Sequence, residues 1–139
     1  MAIAQMFWGR MLAPMDDPAM ADFTGALDDI YRLAETHPGF IWRISDAAAA
    51  EELAALGHDT LISATVSVWE TVESLRSFVF DTVHADMLER RHEWFVPIDE
   101  PRQVIWNVPR HARPGFAEAF ARLERLKEHG PHAEAYGWS

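Results

Sequence analysis

The stretch TLISATVSVWE, residues 60–70, alternates with a period of two. Ile62, Ala64, Val66 and Val68 fall on one side of an extended chain, and Ser63, Thr65, Ser67 and Trp69 on the other. AQMFWGRM (4–11), FIWRIS (40–45) and QVIWNVP (103–109) read as further strands. In these, large or apolar residues point both ways: Met6 and Trp8 against Phe7, Phe40 and Trp42 against Ile41, Trp106 against Ile105. A sheet with one face in water carries polar residues at alternate positions. A sheet built from these strands therefore needs cover on both faces. The second cover is read as another copy of the same sheet, in a two-fold dimer. The competing reading gives that role to the 46–59 segment and the C-terminal tail of the same chain.

Helical patterns fill the gaps between the strands. Pro14, Asp16, Asp17 and Pro18 mark a turn and a helix start, after which Phe23, Leu27, Ile30, Tyr31 and Ala34 recur at helical spacing until His37-Pro38-Gly39. Thr71 reads as the N-cap of a long helix that runs to Phe95, with a break near Asp81. Gly115 to Glu128 forms the last helix, with Phe116, Phe120, Leu123 and Leu126 on its apolar side. The alanine-rich segment 46–59, a short helix or an excursion ended by Gly57, reads as a surface insertion between strands. The tail HAEAYGWS is expected to be loosely held, with Tyr136 and Trp138 able to dock. The order β-α-β-β-α-β plus a C-terminal helix is the ferredoxin-like pattern of an α+β fold, in a single domain over residues 1–139.

Charge and composition narrow the function. With 12 basic and 22 acidic residues the net charge is −10, which opposes binding to a nucleic-acid backbone. The absence of cysteine excludes disulfides, thiolate nucleophiles and cysteine metal sites. The start MAIAQMFWGRMLAPMDD lacks the basic-then-apolar plan of a signal peptide, and no apolar run approaches the ~20 residues of a membrane helix. A cytoplasmic protein is expected.

LAPMDDPAMADF, PGFIWRI, SVWETVESLRSFVF, HADMLERRHEWF and ARLERLKEHGP together resemble an uncharacterised bacterial family catalogued as domain of unknown function 3291. The resemblance spans almost the whole chain, with the motifs in order. Such proteins look similar to the dimeric α/β-barrel superfamily. That group includes cofactor-free quinone-forming monooxygenases, small cyclases and isomerases, and haem proteins such as chlorite dismutases and aldoxime dehydratases. The resemblance implies the fold and a homodimer; it names no reaction, because one fold hosts many functions.

His84, Leu88, Arg91 and Phe95 share a face if 71–95 is one helix. In a superfamily whose pocket lies between sheet and helices, that stripe would line the cavity. His84 is then a general base or proton shuttle, or it fills core volume bonded to a carbonyl or to Glu70. Arg43 interrupts an apolar strand; it holds a substrate carboxylate or oxyanion, pairs with Glu70 or Asp46, or lies on the dimer rim. Arg91 is the second candidate for stabilising negative charge; its neighbour Arg90 cannot point the same way. Trp8, Trp42, Trp69, Trp94 and Trp106, with Phe95, build either an aromatic box for a flat ligand or a bulky core. His129 and His132 have H-x-x-H spacing, but Gly130-Pro131 breaks the helix that would align them, so no metal site is expected.

These residues point to a small cofactor-independent enzyme of monooxygenase, cyclase or isomerase type. Its substrate would be a hydrophobic aromatic or polyketide-like molecule. A haem enzyme with His84 or His111 as axial ligand, or a non-catalytic ligand-binding dimer, are the alternatives.

Overall fold

Four strands, β1 (Ala2–Arg10), β2 (Phe40–Arg43), β3 (Ile62–Trp69) and β4 (Gln103–Val108), pair antiparallel throughout in the order β2-β3-β1-β4. The structure, a computed structural model, describes residues 1–82, 84–132 and 134–137, without the side chain of His84. Its elements are β1 (Ala2–Arg10), α1 (Ala21–Thr36), β2 (Phe40–Arg43), α2 (Asp46–Ala55), β3 (Ile62–Trp69), α3 (Val72–Asp81), α4 (His84–Glu89), β4 (Gln103–Val108) and α5 (Phe116–His129). This is the ferredoxin-like βαββαβ arrangement with an added C-terminal helix.

Register sorts the side chains onto two faces. Ala4 stands opposite Val68 on one side and Trp106 on the other, so these three project the same way. With Met6, Val66 and Val104 they are buried against Leu53 of α2 and Phe116, Ala119, Leu123 and Leu126 of α5. The opposite face carries Ile3, Trp69 and Ile105, packed on Ile30 and Ala34 of α1 and Leu75, Phe78 and Val79 of α3. Both faces are thus closed within one chain. The 46–59 segment lies on the first of these faces, as the competing reading has it, together with α5 and with Ala135 of the C-terminal tail.

The 46–59 segment is no surface excursion. Ser45 caps it by accepting the Ala48 N–H at 3.2 Å, and Leu53 anchors it in the core. It also caps α5. Gly115 has no side chain to offer at the start of α5, and Glu52 Oε1 accepts the Phe116 N–H at 2.9 Å instead.

The long helix expected over 71–95 is three pieces. Thr71 Oγ1 accepts the Ser74 N–H at 3.0 Å and starts α3, which stops at Asp81; α4 follows, and then a 3-10 turn at Arg91–Glu93. The tail joins the sheet edge: Ile105 N–H donates to Tyr136 O at 2.6 Å and Tyr136 N–H to Ile105 O at 2.8 Å. Trp138 lies outside the described residues. No described helix is long and apolar enough to cross a membrane.

Candidate functional site

The cavity forms where the sheet runs out beneath α1 and α4. The end of β1 is extended by a short stitch: Leu12 N–H donates to Trp94 O and Val96 N–H to Arg10 O, both at 2.8 Å, and Met11 bridges Phe95. This fixes the segment after the 3-10 turn and turns Trp94 and Phe95 toward α1. Phe23 meets Trp94 at 5.6 Å and Phe95 edge-on at 5.2 Å between ring centroids. Gly9 allows this approach, because a Cβ there would stand 2.8 Å from Phe95 Cδ1.

A cavity of about 180 Å³ lies beside that cluster. Phe7, Leu27, Ile30, Met87, Leu88 and Trp94 give it an apolar wall, while Tyr31, Ser63, Thr65, Arg91 and Arg102 supply polar atoms. Such a chamber, apolar with a few convergent polar groups, is the usual form of a small-molecule site. A second, smaller cavity of about 50 Å³ shares Phe7, Ile30, Tyr31 and Thr65 with it and extends along the sheet to Gln5, Arg43, Ser67 and Trp69. There Gln5 Nε2 donates to Ser67 Oγ at 2.7 Å and Trp69 Nε1 donates to the same oxygen at 2.9 Å.

The structure brings some of the sequence-selected residues together and separates others. Leu88, Arg91 and Phe95 do line one cavity, although Arg91 and Phe95 lie beyond the end of α4 rather than on a continuous helix. His84 begins α4, and its side chain lies outside the described residues. Trp94 is a buried wall of the cavity. Trp8 lines it from β1, while its indole donates to Pro101 O at 2.9 Å and meets Phe120 of α5 edge-on. Trp69 faces the smaller cavity, stacked on Phe78 at 5.3 Å. Trp42 and Trp106 belong to the core beneath α2 and α5.

Arg43 is heavily engaged. It faces Glu35 and Asp46 at 3.4 Å each, donates to Ile44 O at 3.0 Å, and lies 4.0 Å over the Tyr31 ring. Burial pushes the Tyr31 phenol above its ordinary value, Asp46 adds to this and Arg43 opposes it. Tyr31 therefore presents a neutral O–H donor between the two cavities. Glu70 pairs with Arg110 at 2.7 Å, not with Arg43.

Tyr31 and Arg102 are site residues that the sequence reading did not select for chemistry. Tyr31 was visible as part of the apolar stripe of α1. Arg102 has no such signal, because it sits in the loop before β4 and reaches the cavity through tertiary contacts alone. His111 is an exposed loop residue and does not line the cavity. Among the described residues, no group of three or more histidines and carboxylates is placed to hold a metal ion.

A family model described as "Domain of unknown function (DUF3291)" matches residues 2–139. Curated proteins give no match. Among solved structures, SnoaB from Streptomyces nogalater, described as a cofactor-independent oxygenase, is similar with a TM-score of 0.52 at 7% identity over 78% of this chain and 93% of its own. NE2512 from Nitrosomonas europaea, a protein of unknown function, is similar with a TM-score of 0.54 at 12% identity over 82% of this chain and 95% of its own. At these identities the likeness is one of fold, the dimeric α/β-barrel fold.

Proposed function

Starting from a chain that belongs to the DUF3291 family, we propose a small cofactor-independent enzyme that acts on a hydrophobic aromatic molecule held in the cavity beneath α1 and α4. The carrying observation is the cavity of about 180 Å³ itself, walled by aromatic and aliphatic side chains with a guanidinium, Arg91, at its edge. SnoaB, similar in fold and described as a cofactor-independent oxygenase, supports the reading.

In this reading the ligand's ring system lies among Phe7, Leu27, Ile30 and Trp94. His84, at the start of α4, takes a proton from an acidic C–H or phenolic O–H. Arg91 stabilises the charge left on oxygen, and Tyr31 donates a hydrogen bond from its neutral phenol. Arg43, held by Glu35 and Asp46, keeps Tyr31 in place from the smaller cavity. The protein is read as a cytoplasmic homodimer.

Purified, metal-free protein tested for oxygen uptake and product formation on naphthol-like and hydroquinone-like substrates provides the test. Turnover is expected, and His84→Ala should lose about 100-fold or more in rate while keeping its circular dichroism and melting temperature. Ligand binding without any turnover, or a full rate in His84→Ala, would overturn the enzyme reading.

A further inference from the structure

Arg90 and Arg91 are chain neighbours with opposite fates. Arg90 is saturated: Asp22 lies at 2.8 Å and Glu93 at 2.9 Å from its guanidinium. The side chain of Arg91 has no hydrogen bond or ion pair among the described residues, and it lines the cavity together with Arg102. Arg102 donates to Val96 O at 3.0 Å and faces no carboxylate within ion-pair distance among the described residues. Burial lowers its pKa first, and the charge of Arg91 lowers it further, so the two guanidiniums repel each other.

None of the described residues lining this cavity is an aspartate or glutamate. That is unusual in a chain with 22 acidic residues, where Arg10, Arg32, Arg43, Arg110 and Arg122 all face carboxylates. Arg91 is exposed, so water screens much of the repulsion between the two guanidiniums in the empty protein, and an anion placed between them would accept charge-assisted hydrogen bonds from both.

We infer that Arg91 and Arg102 form an anion-recognition pair, and that the ligand of this cavity is a compact aromatic carboxylate whose ring enters the apolar chamber while its carboxylate meets both guanidiniums. This rests on the cavity being the ligand site, and it adds that the ligand arrives already charged. The volume of about 180 Å³ lies below the range of drug-sized sites, about 300–1,000 Å³, so the ring system is mono- or bicyclic.

The probes are 2-naphthoate and its uncharged isostere 2-naphthamide, titrated calorimetrically into the full chain at low and high salt. The carboxylate should bind about tenfold or more tightly, as charge-assisted hydrogen bonds require, with the preference shrinking as salt rises. Arg91→Gln and Arg102→Gln should each remove most of that preference by weakening the carboxylate far more than the amide. Arg102→Lys should retain part of it. If Arg102→Gln does not fold, Arg91→Gln and Arg102→Lys decide the matter. Equal binding of both probes to the unaltered protein would overturn the anion pair and leave the apolar site standing. A preference that survives both substitutions would overturn the assignment to these two residues. Failure of both probes to bind would overturn the site and the pair together.

Discussion

Phe95 occupies its place because Gly9 has no side chain. A methyl group at position 9 would come 2.8 Å from the Phe95 ring, and the ring is wedged against Phe23, so it cannot simply swing away. Gly9→Ala should cost about 1–3 kcal/mol by overpacking, read as a lower urea midpoint, and should weaken binding of any cavity ligand because the displaced ring is part of the wall. An unchanged midpoint would show that Phe95 relaxes freely. The tyrosines give a second residue-scale expectation. The chain has two, Tyr31 and Tyr136, and burial raises both phenols above the ordinary value of 10.0. The folded state thus holds the phenolic protons more tightly than the unfolded chain does. The stability this brings is fully present below pH 10 and is lost as pH rises through the folded-state values. A spectrophotometric titration should place both phenolate midpoints above 10 in native protein and return them to about 10 in denaturant. Native midpoints at 10 would contradict the burial of both rings.

At the scale of elements, the second face of the sheet depends on two helices that support one another. α2 is alanine-rich and contributes Leu53 to the core, while α5 contributes Phe116, Ala119, Leu123 and Leu126. Their tie is the Glu52 carboxylate on the first N–H of α5. Glu52→Ala leaves that donor without its acceptor at a helix end that favours negative charge, and should cost about 1 kcal/mol. Glu52→Gln keeps an acceptor and should cost less. Equal stability of both variants to the parent would mean that water replaces the cap at no cost. The division of 71–95 into α3, α4 and a 3-10 turn matters equally. A straight helix would carry Arg91 and Phe95 on past the sheet, whereas the stitch of Leu12 to Trp94 and Val96 to Arg10 folds them back over the cavity mouth.

For the whole molecule, the closure of both sheet faces within one chain changes what a dimer would have to do. A second copy is not needed to bury Trp106, Val66 or Val68, which are fully covered already. Dissociation of the proposed homodimer should therefore leave the subunit folded. Sedimentation velocity is expected to give twice the chain mass at high concentration, and dilution to give a monomer with undiminished helical circular dichroism. Loss of structure on dilution would show that the subunit fold is incomplete alone.

Local pattern was enough to locate the strands, the helical stripe from Phe23 to Ala34, the Thr71 cap and the need to bury both faces of the sheet, because period, capping and side-chain polarity act over a few residues. It also placed Arg91 and Phe95 among the site candidates. Which element covers the second face, which tryptophans meet the cavity, and that Arg102 joins Arg91 there while Arg43 is held by Glu35 and Asp46, were decided by tertiary structure alone. These depend on how segments far apart in the chain cross one another. A strand's alternation says that a face must be covered, and carries no information on whether its own helix or another molecule does so.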